Sequence, residues 1–139
     1  MEKGSKKKGR AALLINFSSV ISLIVVFEIL KSTNQNALLV ILLLAFLAIA
    51  ISSFIYAFIQ TGSFKFVHTK SEKMDERETQ LVGKALRYSY SFFTIVVLVI
   101  IYVYALAENG PIDVVIAAGM LYFAHTLPAA ILTWWGKTN

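Results

Sequence analysis

Four apolar runs divide the chain, at about residues 11–30, 37–60, 88–107 and 112–135. Each is about 20 residues or longer, and at ~1.5 Å rise per residue a helix of that length crosses a ~30 Å hydrocarbon layer. The runs are apolar on all sides instead of alternating, which excludes membrane-spanning strands. Polar turn residues separate them: Lys31 to Asn36, then Gln60-Thr61-Gly62-Ser63, then Glu108-Asn109-Gly110-Pro111. The last is a strong stop and restart, because Asn-Gly turns and proline favours a first helical position. The pattern predicts an all-α membrane protein in which residues 11–139 form one domain of four transmembrane helices.

One long polar segment breaks the pattern, Ser71 to Tyr88. Thr69 with Glu72 fits a capping box, with Ser71 as an alternative cap. Glu72, Asp75, Glu76 and Glu78 gather where a helix start favours negative charge. Met74, Leu81, Ala85 and Tyr88 recur at helical spacing and mark one apolar face. An amphipathic helix over about 71–87 is therefore expected to begin near Ser71 and run unbroken into the third span. Gly83 is its weak point, at a cost of about 1 kcal/mol relative to alanine.

Composition agrees with a membrane solvent: 58% of the 139 residues are hydrophobic, against about 45–50% in soluble domains. The absence of cysteine excludes disulfides, thiol catalysis and cysteine-ligated metals. Residues 1–10 (MEKGSKKKGR) read as a disordered basic tail. The apolar run behind them exceeds the ~7–15 residues of a signal-peptide core, so an uncleaved first span is expected. Lysine and arginine set the orientation. With both termini and the central connection in the cytoplasm, twelve of the thirteen basic residues lie inside. The positive-inside rule therefore predicts an N-in/C-in layout, with helix 3 extended into the cytoplasm. Trp134 and Trp135 fall at the inner boundary of that layout.

Candidate chemistry is sparse. Asp75, Glu76, Arg77 and Glu78 read either as a solvated helix start or as a docking surface for a partner, with Lys6, Lys7 and Lys8 of the tail as a possible internal partner. Within the spans, Glu28 stands near an end and reads as interfacial. His125 falls about 15 Å from Trp135, near mid-bilayer. Thr126, Ser18 and Ser22 reach similar depths, so these four form a candidate intramembrane polar site. His125 reads as a hydrogen-bonded residue of the bundle or as a proton or ligand site. A lone histidine cannot hold a metal in a monomer, and no metal or cofactor is expected. Pro128, one turn on, predicts a kink. Asn16, Ser18, Ser19 and Ser22 give the first helix a small polar stripe, and Ser53 offers a close approach on the second.

Asp75-Glu76-Arg77-Glu78, followed by Leu81-Val82 and Lys84-Ala85 ahead of an apolar run, resembles a motif of small prokaryotic four-helix membrane proteins of unknown function. There, too, an Asp-Glu-Arg segment lies in the central cytoplasmic connection. The resemblance implies a multi-pass protein of the prokaryotic plasma (inner) membrane and carries no activity with it. No paired catalytic groups are present, so a non-enzymatic structural or regulatory protein acting through its charged helix is expected. The alternative is a subunit of a small oligomeric transporter or channel using His125. The expected partners are the lipid bilayer and a second copy or a membrane protein; nucleic acid is not among them, since the basic residues are tethered to a membrane and lack a binding fold.

Overall fold

The computed structural model describes residues 2–33, 36–107 and 111–135, with side chains from residue 7 onward apart from residue 71. All regular structure among them is helical: α1 (Glu2–Ser32), α2 (Ala37–Phe54, continued as a π-helical stretch, Ile55–Gln60), the short α3 (Ser63–Val67), a 3-10 turn (Ser71–Lys73), α4 (Glu76–Leu106) and α5 (Val114–Trp135). Four stretches are long and apolar enough to cross a membrane: Lys7–Ser32, Ala37–Gln60, Glu76–Leu106 and Val114–Trp135. Their outward faces carry large apolar side chains such as Leu38, Ile95, Leu106 and Leu121, each more than three-fifths exposed. That surface is compatible with a hydrocarbon surrounding and far exceeds the patches a water-soluble monomer exposes.

The core is small and lies on one face of each helix. On α1 the buried positions are Gly9, Ala12, Leu13, Asn16 and Ser19, stepping by three or four. Of these, Ala12 and Leu13 meet Ala57 and Phe58 of the π-helical stretch and Ala129 and Ala130 of α5. Small residues dominate because helices in lipid gain little from apolar burial and must gain from close packing. Gly119 shows how close. A Cβ built there would stand 2.5 Å from Cδ1 of Ile24, so the Ile24 side chain of α1 packs directly over the Gly119 backbone of α5. A second cluster joins Val82 and Ala85 of α4 to Leu132 of α5, with Phe66, Met74 and Trp135 packed against it.

Polar contacts show which helix ends lie together. Arg10 Nε donates to the Trp134 carbonyl, Ser63 and Thr133 share a hydroxyl hydrogen bond, and the Tyr88 and Trp135 rings meet edge-on at 5.9 Å. One end therefore gathers the start of α1, the end of α2, the start of α3, the first part of α4 and the end of α5. At the other end, Lys31 of α1 bonds Asp113, just ahead of α5, at 3.0 Å. Gly62 turns the chain between α2 and α3 with φ +71°, a left-handed conformation that glycine adopts without a Cβ clash.

Several boundaries depart from expectation. The segment 1–10 was expected to be disordered, yet α1 starts at Glu2. Lysine is a good helix former, and a span already nucleated extends backward at little cost. Gly9 and Arg10 are also held by α5: the Gly9 backbone lies against Thr133, and Arg10 against Trp134. The helix expected from Ser71 starts instead at Glu76. Its cap is Asp75, whose carboxylate accepts from Glu78 N at 2.6 Å while the Glu78 carboxylate accepts from Asp75 N at 3.3 Å. The Thr69 hydroxyl donates to the Lys65 carbonyl and caps nothing. Both spacings satisfy a capping box locally; Met74, packed on the Leu132 cluster, fixes the turn just ahead of Asp75. Replacing Asp75 with alanine is expected to cost about 1 kcal/mol. Hydrogen exchange should show it as faster exchange of the amides of residues 76–79, with the rest of α4 unaffected.

From Glu76 the helix continues through Gly83 to Leu106. The turn signal Glu108 to Gly110 lies outside the described residues, as does Lys137 of the tail. Pro111 does not start the last helix; Asp113 does, accepting from Val115 N at 2.7 Å ahead of Val114. α5 then runs unbroken through Pro128.

Candidate functional site

The buried polar groups converge on Asn16. This side chain is wholly buried. Its amide donates to the Ala50 carbonyl at 2.9 Å and to Ser53 Oγ at 3.2 Å, and its Oδ1 accepts from the Tyr122 hydroxyl at 2.6 Å. One residue thus ties α1 to α2 and α5. Ser19 donates back to the Asn16 carbonyl, and Thr126 to the Tyr122 carbonyl. Each hydroxyl in this network has a partner, as an apolar surrounding demands. The network is saturated and reads as an internal clamp without a free group for a ligand.

The expected intramembrane site is not assembled. Thr126 is buried, but Ser18 and His125 are exposed and Ser22 is half-buried. The polar stripe of α1 reaches the core through Asn16 and Ser19, one helical face away from Ser18 and Ser22. His125 was expected inside the bundle and without a second histidine nearby; both points are corrected. It lies on the outer surface of α5, and the His68 ring stands 5.9 Å away, centroid to centroid, inclined by 30°. His68 follows α3, which packs back along α5, and it also touches Phe64 at 4.3 Å. No local pattern marks this pairing, since it depends on the chain reversing at Gly62. No group of three metal-ligating side chains occurs among the described residues.

Ionisable groups occupy the two ends. At one, Lys31 bridges Glu28 at 2.8 Å and Asp113 at 3.0 Å. The second Glu28 oxygen, Oε1, is buried without a hydrogen-bond partner among the described residues. This triad closes α1 onto the start of α5. All three side chains are about a third exposed, so its contribution to stability is small.

The opposite end holds a cleft of about 670 Å³ between α1, α4 and α5. Arg77, Gln80, Leu81, Lys84 and Tyr88 line it from one stripe of α4, at steps of three and four. Arg10 and the two tryptophans close the other side. The Arg10 guanidinium lies 5.3 Å from the Trp134 ring centre, a cation–π contact that fixes its head group. Among the described residues no carboxylate lines the cleft. Of the four residues singled out as a docking string, Asp75 and Glu78 are engaged in the helix cap, Glu76 and Arg77 are exposed, and only Arg77 faces the cleft. Lys7 and Lys8 make no ion pair with that string among the described residues. Periodicity marked the apolar face of this helix but passed over the basic face beside it, because the cleft exists only where α1 and α5 pack. The chain matches no protein-family profile, no curated protein and no solved structure.

Proposed function

We propose that this is a non-enzymatic, multi-pass membrane protein whose working surface is the charged first part of α4. The observation that carries the reading is the cleft at that end of the bundle, where Arg77, Gln80 and Lys84 stand beside Arg10 with no acidic residue lining it among the described residues. The same end gathers Lys65, Lys70, Lys73 and Arg87 by sequence position, so the positive-inside rule makes it the cytoplasmic end. The acidic string contributes by starting the helix, and the exposed Glu76 and the basic stripe are what a partner meets. A transporter subunit built around His125 is less well supported, because His125 faces outward and the Tyr122 and Thr126 hydroxyls are satisfied by Asn16 Oδ1 and the Tyr122 carbonyl.

Single-cysteine labelling tests the orientation cleanly, since the chain has no cysteine of its own. An impermeant maleimide should label Ser32→Cys in intact cells and Glu72→Cys only after permeabilisation; labelling of Glu72→Cys from outside would reverse the topology. A photo-crosslinking side chain at Glu76 or Gln80 should give a discrete protein adduct that the same group at Ile95 or Leu98 does not. Identical adducts at all four positions would remove the docking role.

A further inference from the structure

We infer that the cleft between Arg10, Arg77 and Lys84 is a binding site for the phosphate of an anionic lipid headgroup. The inference rests on the cytoplasmic working surface proposed above and names its ligand.

Three cations from two helices face one space of about 670 Å³, in the range of small-molecule sites. Among the described residues neither Arg77 nor Lys84 forms an ion pair. Arg77 and Lys84 are two turns apart on one stripe, and Glu76 and Glu78 project about 100° to either side of it. Such a convergence of like charge is unfavourable until an anion enters, and the donors suit phosphate in particular. Guanidinium presents a planar fork that matches phosphate oxygens, and ammonium adds a point charge. Arg10 commits Nε to the Trp134 carbonyl at 2.9 Å, which leaves its four terminal N–H groups for a ligand and holds them in place over the indole. Gln80 supplies a neutral donor beside them.

A lipid is favoured over a soluble phosphate compound by what surrounds the cations. Tyr88 and Trp134 are 63% and 49% exposed at the rim, and such amphipathic rings settle at the headgroup level of a bilayer. Leu81 adds an apolar wall. The cleft also sits where α4 passes from Arg87 to the uncharged stretch beginning at Tyr88, which is where a headgroup meets its acyl chains.

The chain has two tryptophans, Trp134 and Trp135, and both line the cleft. Tryptophan fluorescence therefore reports on this site alone. The full chain in nanodiscs would be titrated with phosphatidylglycerol or phosphatidylcholine carrying brominated acyl chains. Brominated phosphatidylglycerol should quench at the lower mole fraction, and the Arg77→Gln/Lys84→Gln variant should lose about thirtyfold in that preference, the share expected of two interfacial cations at about 1 kcal/mol each. Lys65→Gln/Lys70→Gln, with the same loss of charge away from the cleft, should keep it. Arg77→Lys should retain most of the preference, which guards against a misfolded double variant. Equal loss in the two double variants would mean bulk surface charge and overturn the site. Saturable displacement of the lipid by inorganic phosphate at matching affinity would make a soluble phosphate compound the occupant and overturn the lipid assignment. A nanodisc exposes both faces, so failure here leaves the orientation and docking experiments to stand or fall separately.

Discussion

Replacing Asn16 with alanine is expected to lower stability by about 2 kcal/mol, the largest loss expected of any single polar side chain among the described residues. Asn16 makes three hydrogen bonds to other helices from a position with no exposure. Interhelical hydrogen bonds in lipid are each worth about 0.6 kcal/mol and up to about 1.7, and truncation adds the cost of what stays behind. The Ser53 hydroxyl keeps the Ile49 carbonyl as acceptor at 2.6 Å, so it is not stranded. The Tyr122 hydroxyl is, because Asn16 Oδ1 is its acceptor. The comparison with Tyr122→Phe is therefore decisive. Unfolding equilibria in bicelles should show the double variant less destabilised than the sum of the single ones, with a coupling of about 1 kcal/mol. Strict additivity would mean that Asn16 and Tyr122 do not act as a pair. Ser18→Ala, at an exposed position on the same helix, should change nothing measurable.

Gly119→Val is expected to cost about 1–3 kcal/mol by overpacking, while Gly119→Ala should cost clearly less. A Cβ at this position meets Ile24 Cδ1 at 2.5 Å and Cγ1 at 3.5 Å. The first contact is the end of a flexible side chain and yields by a rotamer change. The branched valine puts two further carbons into the same gap, and α5 must then move away from α1. Thermal unfolding in detergent ranks the pair, and shortening the neighbour in Ile24→Ala should restore much of the loss in Gly119→Val. If valine were tolerated without that compensation, the approach of α1 and α5 would not be tight there.

These two positions show how differently local pattern and packing contribute. The existence of four helices long and apolar enough to cross a membrane was legible from residues 11–135 because each run is long and apolar and polar turn segments separate the runs, and no tertiary information is needed to see that. The charged stretch was legible as a helix continuous with the third apolar run because Met74, Leu81, Ala85 and Tyr88 recur at helical spacing. Its first residue was not. Thr69, Ser71 and Asp75 all offer a plausible cap, and the choice fell to Met74, which packs against a cluster containing Leu132 of α5. The polar stripe on α1 was visible as a group, yet its members separate by about 100° per residue, so Asn16 and Ser19 enter the core while Ser18 faces outward. The facing of His125 was not readable, because α5 is apolar on every side and offers no moment to orient it.

The sequence by itself determined the number of helices long and apolar enough to cross a membrane and concentrated the basic residues at alternate connections; the first is what a hydrocarbon solvent demands, and the second is the bias that keeps basic loops on one side. Tertiary structure alone decided three things: that Asn16 is the clamp, that His68 meets His125, and that Arg10 joins Arg77 and Lys84 around one cleft. Each joins residues far apart in the chain. Such meetings depend on where small residues let helices close and where Gly62 turns the chain back, and no periodicity within a single helix encodes them.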